Sequence, residues 1–297
     1  MVVLLSRQQS DVIRGMAAII IAIFHVLIEW QCPRVVNIFG SVCVAAFLFL
    51  SGFGIHESYK KNGLSRYWVK KWKRIILPYW LFLSVVTLFQ GWPGWKTFLL
   101  DACFVQSQFW FIPYLVQCYL VYWIISRCLS HYWVIAFLVI GFIALNTLPQ
   151  IEAEQSFSFF AGVLASRHID FLRRLSHSQL LSFGLASMLC GILFLLLKEI
   201  PAVHAYKGTV PYNYILLFIK LPLAVPLILL PEFLPILQSS RLLHGAGIAS
   251  LEIYLVHLPF VPYVEQTVWS VCVFVLVVVV CSYVYYQINH QLISKYL

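Results

Sequence analysis

The chain has 297 residues, 62% of them hydrophobic and only 10% charged, with a mean hydropathy of +0.88. An ordinary soluble domain carries about 25% charged residues, so the composition excludes that class and predicts an all-α fold, a polytopic integral membrane helical bundle in a lipid bilayer. The formal charge of +9 points to anionic lipid or an anionic cytosolic ligand as partner, and not to nucleic acid.

Hydrophobic runs of roughly 20 residues predict about ten transmembrane helices, at 12–30, 35–55, 75–92, 109–126, 132–148, 155–167, 179–197, 212–230, 247–264 and 267–288. The sixth is short and reads as re-entrant. The chain reads as a single membrane domain over 1–297 with no appended soluble domain. Arg7, Asp11 and Arg14 replace a clean basic leader, so the first helix is read as retained. With both termini cytoplasmic, fourteen Lys and Arg fall inside and four (Arg34, Lys96, Lys198 and Lys207) outside, Lys295 being the last of the inner set; this is the bias of the positive-inside rule.

The first helix carries a polar stripe. At 100° per residue, His25 returns to within about 20° of Arg14, and Asp11 and Glu29 lie within about 60°. Each such group costs roughly 2.5–3.5 kcal/mol in hydrocarbon, so the stripe should face a polar interior. At the end of the second run, Ser51 and Gly52 fit close helix packing or the wall of a channel. Next comes ESYKKNGLSRYWVKKWKRIILPYW. Read as a helix from about Ser65, it places Arg66, Lys70 and Arg74 on one face beside Lys71 and Lys73. The stretch serves either as a positive-inside anchor or as a phosphate-binding surface, and Pro78 is expected to kink its entry into the membrane. The segment KTFLLDACFVQSQ is amphipathic and lies at the outer surface or dips into the bundle.

Trp110 and Phe111 are packing residues or aromatic contacts to a ligand. Lys220, deep in the eighth run, is expected to pair with Glu252 of the next. Ser250, Tyr254 and His257 share one face of the ninth run within about 40°, where Tyr254 or His257 can approach His25 as an oxyanion donor or second proton carrier. The other seven histidines receive no role. Eight scattered cysteines without metal-type spacing predict neither a disulfide framework nor a metal site.

DVIRGMAAIIIAIFH resembles the opening helix of the membrane acyltransferase-3 family, which has Asp, then Arg-Gly, then His. FLFLSGFGI, KKWKRIILPYW, FWFIPYLVQCYL, FFAGVLASR and ASLEIYLVHLPF are similar, in the same order, to later family signatures. The interval from Arg74 to Pro78 is one residue longer than in many members. The resemblance implies transfer of an acyl group, usually acetyl, from acyl-CoA to a hydroxyl of a cell-surface glycan or a lipid-linked glycan acceptor. Some members carry an extracytoplasmic hydrolase-like domain; its absence here favours direct transfer or handover to a separate extracytoplasmic transfer protein. A bacterial-type inner membrane is the implied location.

The chemistry fits these residue types independently. A thioester is already activated, so the demand is for a base that deprotonates a hydroxyl, which His25 suits. Arg14 is then a donor or oxyanion contact, and Glu29 a group that orients the ring. Lys70, Lys71, Lys73 and Arg74, with Arg66 and Ser51, would hold the donor's phosphates and channel. A secondary transporter using the same charges as a proton relay is the rival reading, and a non-catalytic scaffold ranks behind both.

Overall fold

A computed structural model describes the backbone of residues 4–32, 37–105 and 107–296, with side chains described for 4–32, 38–105 and 107–292. Arg34 and the side chain of Lys295, used in the charge count, lie outside the described residues. The described chain is helical without strands: α1 (Arg7–Glu29), α2 (Asn37–Asn62), α3 (Tyr67–Gln90), α4 (Trp95–Ala102), α5 (Phe111–Cys128), α6 (Trp133–Thr147), α7 (Ser158–Arg167), α8 (His177–Glu199), α9 (Val210–Phe233), α10 (Arg241–Ile248), α11 (Ser250–Phe260) and α12 (Val268–Tyr296), with short turns between.

Seven of these helices are long and apolar enough to cross a membrane, and α10 with α11 passes the same test as a pair bent by 80°. The expected all-α polytopic bundle is found, and among the described residues the count of ten is not confirmed. The fifth run forms only the 15-residue α6 and the sixth the ten-residue α7, both too short for a straight crossing of about 30 Å at 1.5 Å per residue. The ninth run is broken at Ala249.

Hydrophobicity all round a helix does not say which face is buried; packing does. In α1 and α2, 56% of the most apolar window is buried, against 17% in α8 and α12, so the first pair is central and the second faces lipid. Two helix crossings hold the centre through reciprocal glycines. Gly15 of α1 lies against the backbone of Leu243 in α10, and Gly247 of α10 against the backbone of Asp11. Likewise Gly52 of α2 meets the backbone of Phe159 in α7, and Gly162 of α7 that of Phe49. Small residues at such contacts let backbones approach where lipid offers no hydrophobic drive between helices. Gly52 is thus a packing residue.

Backbone groups freed by proline are recovered across helices, as a bilayer requires. Pro226 has no N–H for the carbonyl of Pro222, and Ser187 of α8 donates to that carbonyl at 2.8 Å.

Lys220 pairs with Glu154, in the turn before α7, and not with Glu252; both side chains are about 5% exposed. Glu252 instead accepts from Asn289 of α12 at 3.2 Å. Sequence neighbours were the wrong guide because α7 carries its preceding turn against α9. Glu154→Gln, which leaves the buried ammonium without its counter-charge, is expected to destabilise by about 3–5 kcal/mol, read as a lowered Tm in detergent; changing both partners to Met should recover most of it. A double variant as unstable as the single one would show that the pair is not the cause.

Candidate active site

The N-terminal half of the α1 stripe faces a basic opening. Ser6 caps the helix, accepting from the Gln9 backbone N–H at 3.1 Å while Gln9 Oε1 accepts from the Ser6 N–H, which fixes where the stripe starts. One turn in, Arg14 Nη1 stands 3.3 Å from Oδ1 of buried Asp11, whose other oxygen lies 3.7 Å from His244 Nδ1. Arg14 Nη2 points toward exposed Gly54 of α2, where an added Cβ would meet it at 3.9 Å.

From α3, Lys71 turns inward. Its ammonium sits 4.2 Å from the ring centre of Tyr119 in α5 and 5.7 Å from that of Tyr67, a cation–π arrangement. Tyr119 is also joined to Ser51 by a side-chain hydrogen bond. Arg74 lies exposed on the next turn, and Arg14, Lys71 and Arg74 act on one another electrostatically. Three cations thus converge on one opening beside a single acid, Asp11, an arrangement that attracts phosphates.

Residues Trp72–Ile76 form a π-turn, with the Leu77 N–H bonded to the carbonyl of Trp72. A π-turn accommodates one extra residue inside a helix. The longer interval between Arg74 and Pro78 is absorbed there, and α3 remains one element from Tyr67 to Gln90. The expected single face of Arg66, Lys70 and Arg74 is corrected, because Arg66 stands outside the helix with φ 51°.

Eleven residues beyond Arg14, at the other end of the stripe, His25 Nδ1 lies 2.7 Å from His257 Nε2 of α11, with the rings stacked at 20° and 5.0 Å apart. His257 is fully buried, and its Nδ1 lies 2.8 Å from the carbonyl of Ile253. A carbonyl only accepts, so His257 Nδ1 carries the proton and, in the neutral ring, Nε2 is an acceptor. His25 then donates from Nδ1, which leaves its Nε2 with a free lone pair. Tyr254 packs on His257 at 5.9 Å, its hydroxyl buried beside the Phe111 backbone without a well-formed hydrogen bond.

A family model described as an acyltransferase domain matches residues 7–287, from the first residue of α1 through most of α12. The chain belongs to the acyltransferase-3 family. It is a membrane acyltransferase. No curated protein and no solved structure matches it.

In this acyltransferase the residues singled out from the sequence divide into two groups. Asp11, Arg14, Ser51, Lys71 and Arg74 meet at the basic opening, and His25, Tyr254 and His257 meet at the histidine pair. The rest are placed around these two groups, Lys70 acting electrostatically on Lys71. Glu29 is exposed and makes no hydrogen bond or ion pair among the described residues, so the ring is oriented by His257 instead. Lys70 is exposed, and Lys73 sits half-buried on the π-turn. Trp110 packs on Phe111 and Tyr114 at the start of α5, and Ser250 opens α11.

Sequence reasoning missed Tyr119, one aromatic among many in its helix. It also gave no role to His56, which lies 2.9 Å from the Tyr122 hydroxyl and stacks near Tyr59 and Trp133.

Proposed function

We propose that this acyltransferase moves an acyl group, acetyl in the simplest case, from cytosolic acyl-CoA to a hydroxyl of a cell-surface glycan or its lipid-linked precursor, with His25 as general base. The observation that carries this reading is the hydrogen-bonded series Ile253 carbonyl, His257, His25, which leaves His25 Nε2 bare. The location is a bacterial-type inner membrane with both termini in the cytoplasm, and the product leaves directly or through a separate extracytoplasmic transfer protein.

The donor's phosphates rest on Arg14, Lys71 and Arg74, with Lys70 beside Lys71. Arg14 lies about 16 Å of helix rise from His25, too far to touch the reacting carbonyl, so it is a donor contact. The pantetheine arm runs from this opening along the stripe toward His25. There the acceptor hydroxyl attacks the thioester carbonyl as His25 Nε2 takes its proton, and the imidazolium keeps its Nδ1–H on His257. Tyr254 supplies a donor to the tetrahedral oxyanion. The C–S bond then breaks, and the thiolate leaves with the proton returned by His25.

Free-thiol release from acetyl-CoA by protein in nanodiscs, with and without lipid-linked glycans, tests the reaction class. Reversing two charges, Lys71→Glu with Arg74→Glu, is expected to weaken acetyl-CoA binding by about tenfold or more through loss of charge-assisted contacts. Unchanged binding would remove the donor-site assignment. Transport that persists in that variant, with no thiol release by the wild type, would favour the relay reading.

A further inference from the structure

The face of the bundle opposite the basic opening holds a second polar site. α4 folds back from the end of α3 into the bundle and encloses a cavity of about 510 Å³, lined among others by Gln90, Thr97, Phe98, Asp101, Ser107 and Gln108. The Tyr79 hydroxyl donates to Asp101 Oδ1. Along α3 the lining runs from Leu83 to Gln90, seven residues or about 10 Å of helix rise, with Tyr79 just beyond it.

Asp101 is the only acid between Glu57 and Glu152. It is 9% exposed, and no hydrogen bond to its Oδ2 is formed by the described residues. A carboxylate held deep in a membrane helix bundle with spare acceptor capacity implies a wet cavity and a ligand that donates hydrogen bonds. Ser107 accepts from the Phe109 N–H at 2.8 Å and lies 2.8 Å from the Tyr79 hydroxyl, so Asp101 and Tyr79 are fixed in place. At the mouth, exposed Trp92 packs 5.1 Å from Phe98 and 4.7 Å from Trp95, offering aromatic faces beside the amides of Gln90 and Gln108.

A floor carboxylate, amides on the walls and an aromatic rim suit a polyhydroxylated ring, which has hydroxyl donors at its edge and C–H faces to stack. An acyl chain would offer no donor to Asp101 Oδ2. A run of ring contacts leads from Tyr79, the partner of Asp101, to the histidine pair. The Tyr79 ring meets Phe109 at 6.0 Å, Phe109 meets Tyr254 at 6.4 Å, and Tyr254 meets His257 at 5.9 Å.

We propose that this cavity is the acceptor subsite and binds a sugar ring of the glycan through Asp101, Gln108 and the Trp92 rim. The assignment rests on the acyltransferase reading above and deepens it: donor and acceptor enter from opposite ends of the bundle and meet at His25.

The test uses the full chain in nanodiscs with two probes, an undecaprenyl-diphosphate-linked oligosaccharide and the same oligosaccharide released from its lipid. Asp101→Asn is expected to raise the acceptor KM, and the Kd of the bound probe, by about tenfold. Trp92→Ala and Gln108→Ala, both at exposed side chains, should each raise them several-fold with Tm unchanged. Leu88→Ala, at an exposed position of α3 outside the cavity lining, should change neither. Equal effects on both probes mean that the sugar is recognised, whereas loss confined to the lipid-linked probe means that the pocket holds the lipid diphosphate, which overturns the proposal. Unaltered acceptor KM and Kd in all three pocket variants also overturns it. Wild-type protein that binds the probes but releases no thiol separates the two ideas, because the pocket then stands and the transfer reading falls.

Discussion

His25→Ala is expected to reduce acyl transfer by about 10²–10⁴-fold, the usual contribution of a positioned general base, with normal membrane insertion and little change in Tm. His25 is only partly buried and its one hydrogen bond is to His257, so its removal leaves no large cavity behind. His257→Phe keeps an aromatic ring but takes away the acceptor for His25 Nδ1–H, freeing His25 to adopt either tautomer. Its expected loss is smaller and falls on kcat, while acetyl-CoA binding at the Arg14 end is retained. Near-normal transfer by His25→Ala, measured as acceptor-dependent thiol release, would end the assignment of His25 as the base. Parallel loss of acetyl-CoA binding and Tm in either variant would mean that the pair is structural.

Gly162→Leu is expected to prevent stable folding. Even a Cβ at Gly162 would run into the carbonyl of Phe49, and one at Gly52 into that of Phe159; neither neighbour is a flexible side-chain tip that can move aside. Overpacking a tight contact costs about 1–3 kcal/mol, and here both helices must separate along the seam that places Ser51 and the α2 end of the opening. A control is built into the same chain. Gly245 has open space where its Cβ would stand, so Gly245→Ala should be tolerated. The readout is monodisperse protein after detergent extraction and its Tm, and a well-folded Gly162→Leu protein would show that the crossing yields.

The stripe on α1 was legible because ionisable groups are rare in this chain and helical periodicity is fixed. His257 was legible as a face, since Ser250, Tyr254 and His257 repeat with the turn of one helix. Contacts between distant segments were not. The partner of Lys220 depended on α7 pressing its preceding turn against α9, and no local pattern distinguishes Glu154 from Glu252. The count of spans was not confirmed for a related reason. Apolar runs at 132–148 and 155–167 have the composition of crossings, but their helices stop at 15 and ten residues. Asp101 escaped notice because a lone acid in an amphipathic stretch gains meaning only when α4 folds back onto Tyr79.

The 80° break between α10 and α11 fixes the distance between the two polar clusters of α1. α10 grips α1 at Asp11 and Gly15, the proposed donor end, while α11 presents His257 to His25, the proposed chemical end. One short bent segment therefore spans both stations like the jaws of a caliper. A residue gained or lost between Gly247 and His257 would swing His257 by about 100° around its helix axis while α10 stayed seated. Insertions are accordingly expected to be tolerated in connections outside the caliper, such as 200–209 and 234–240, where the chain can grow without altering the distance between Asp11 and His257.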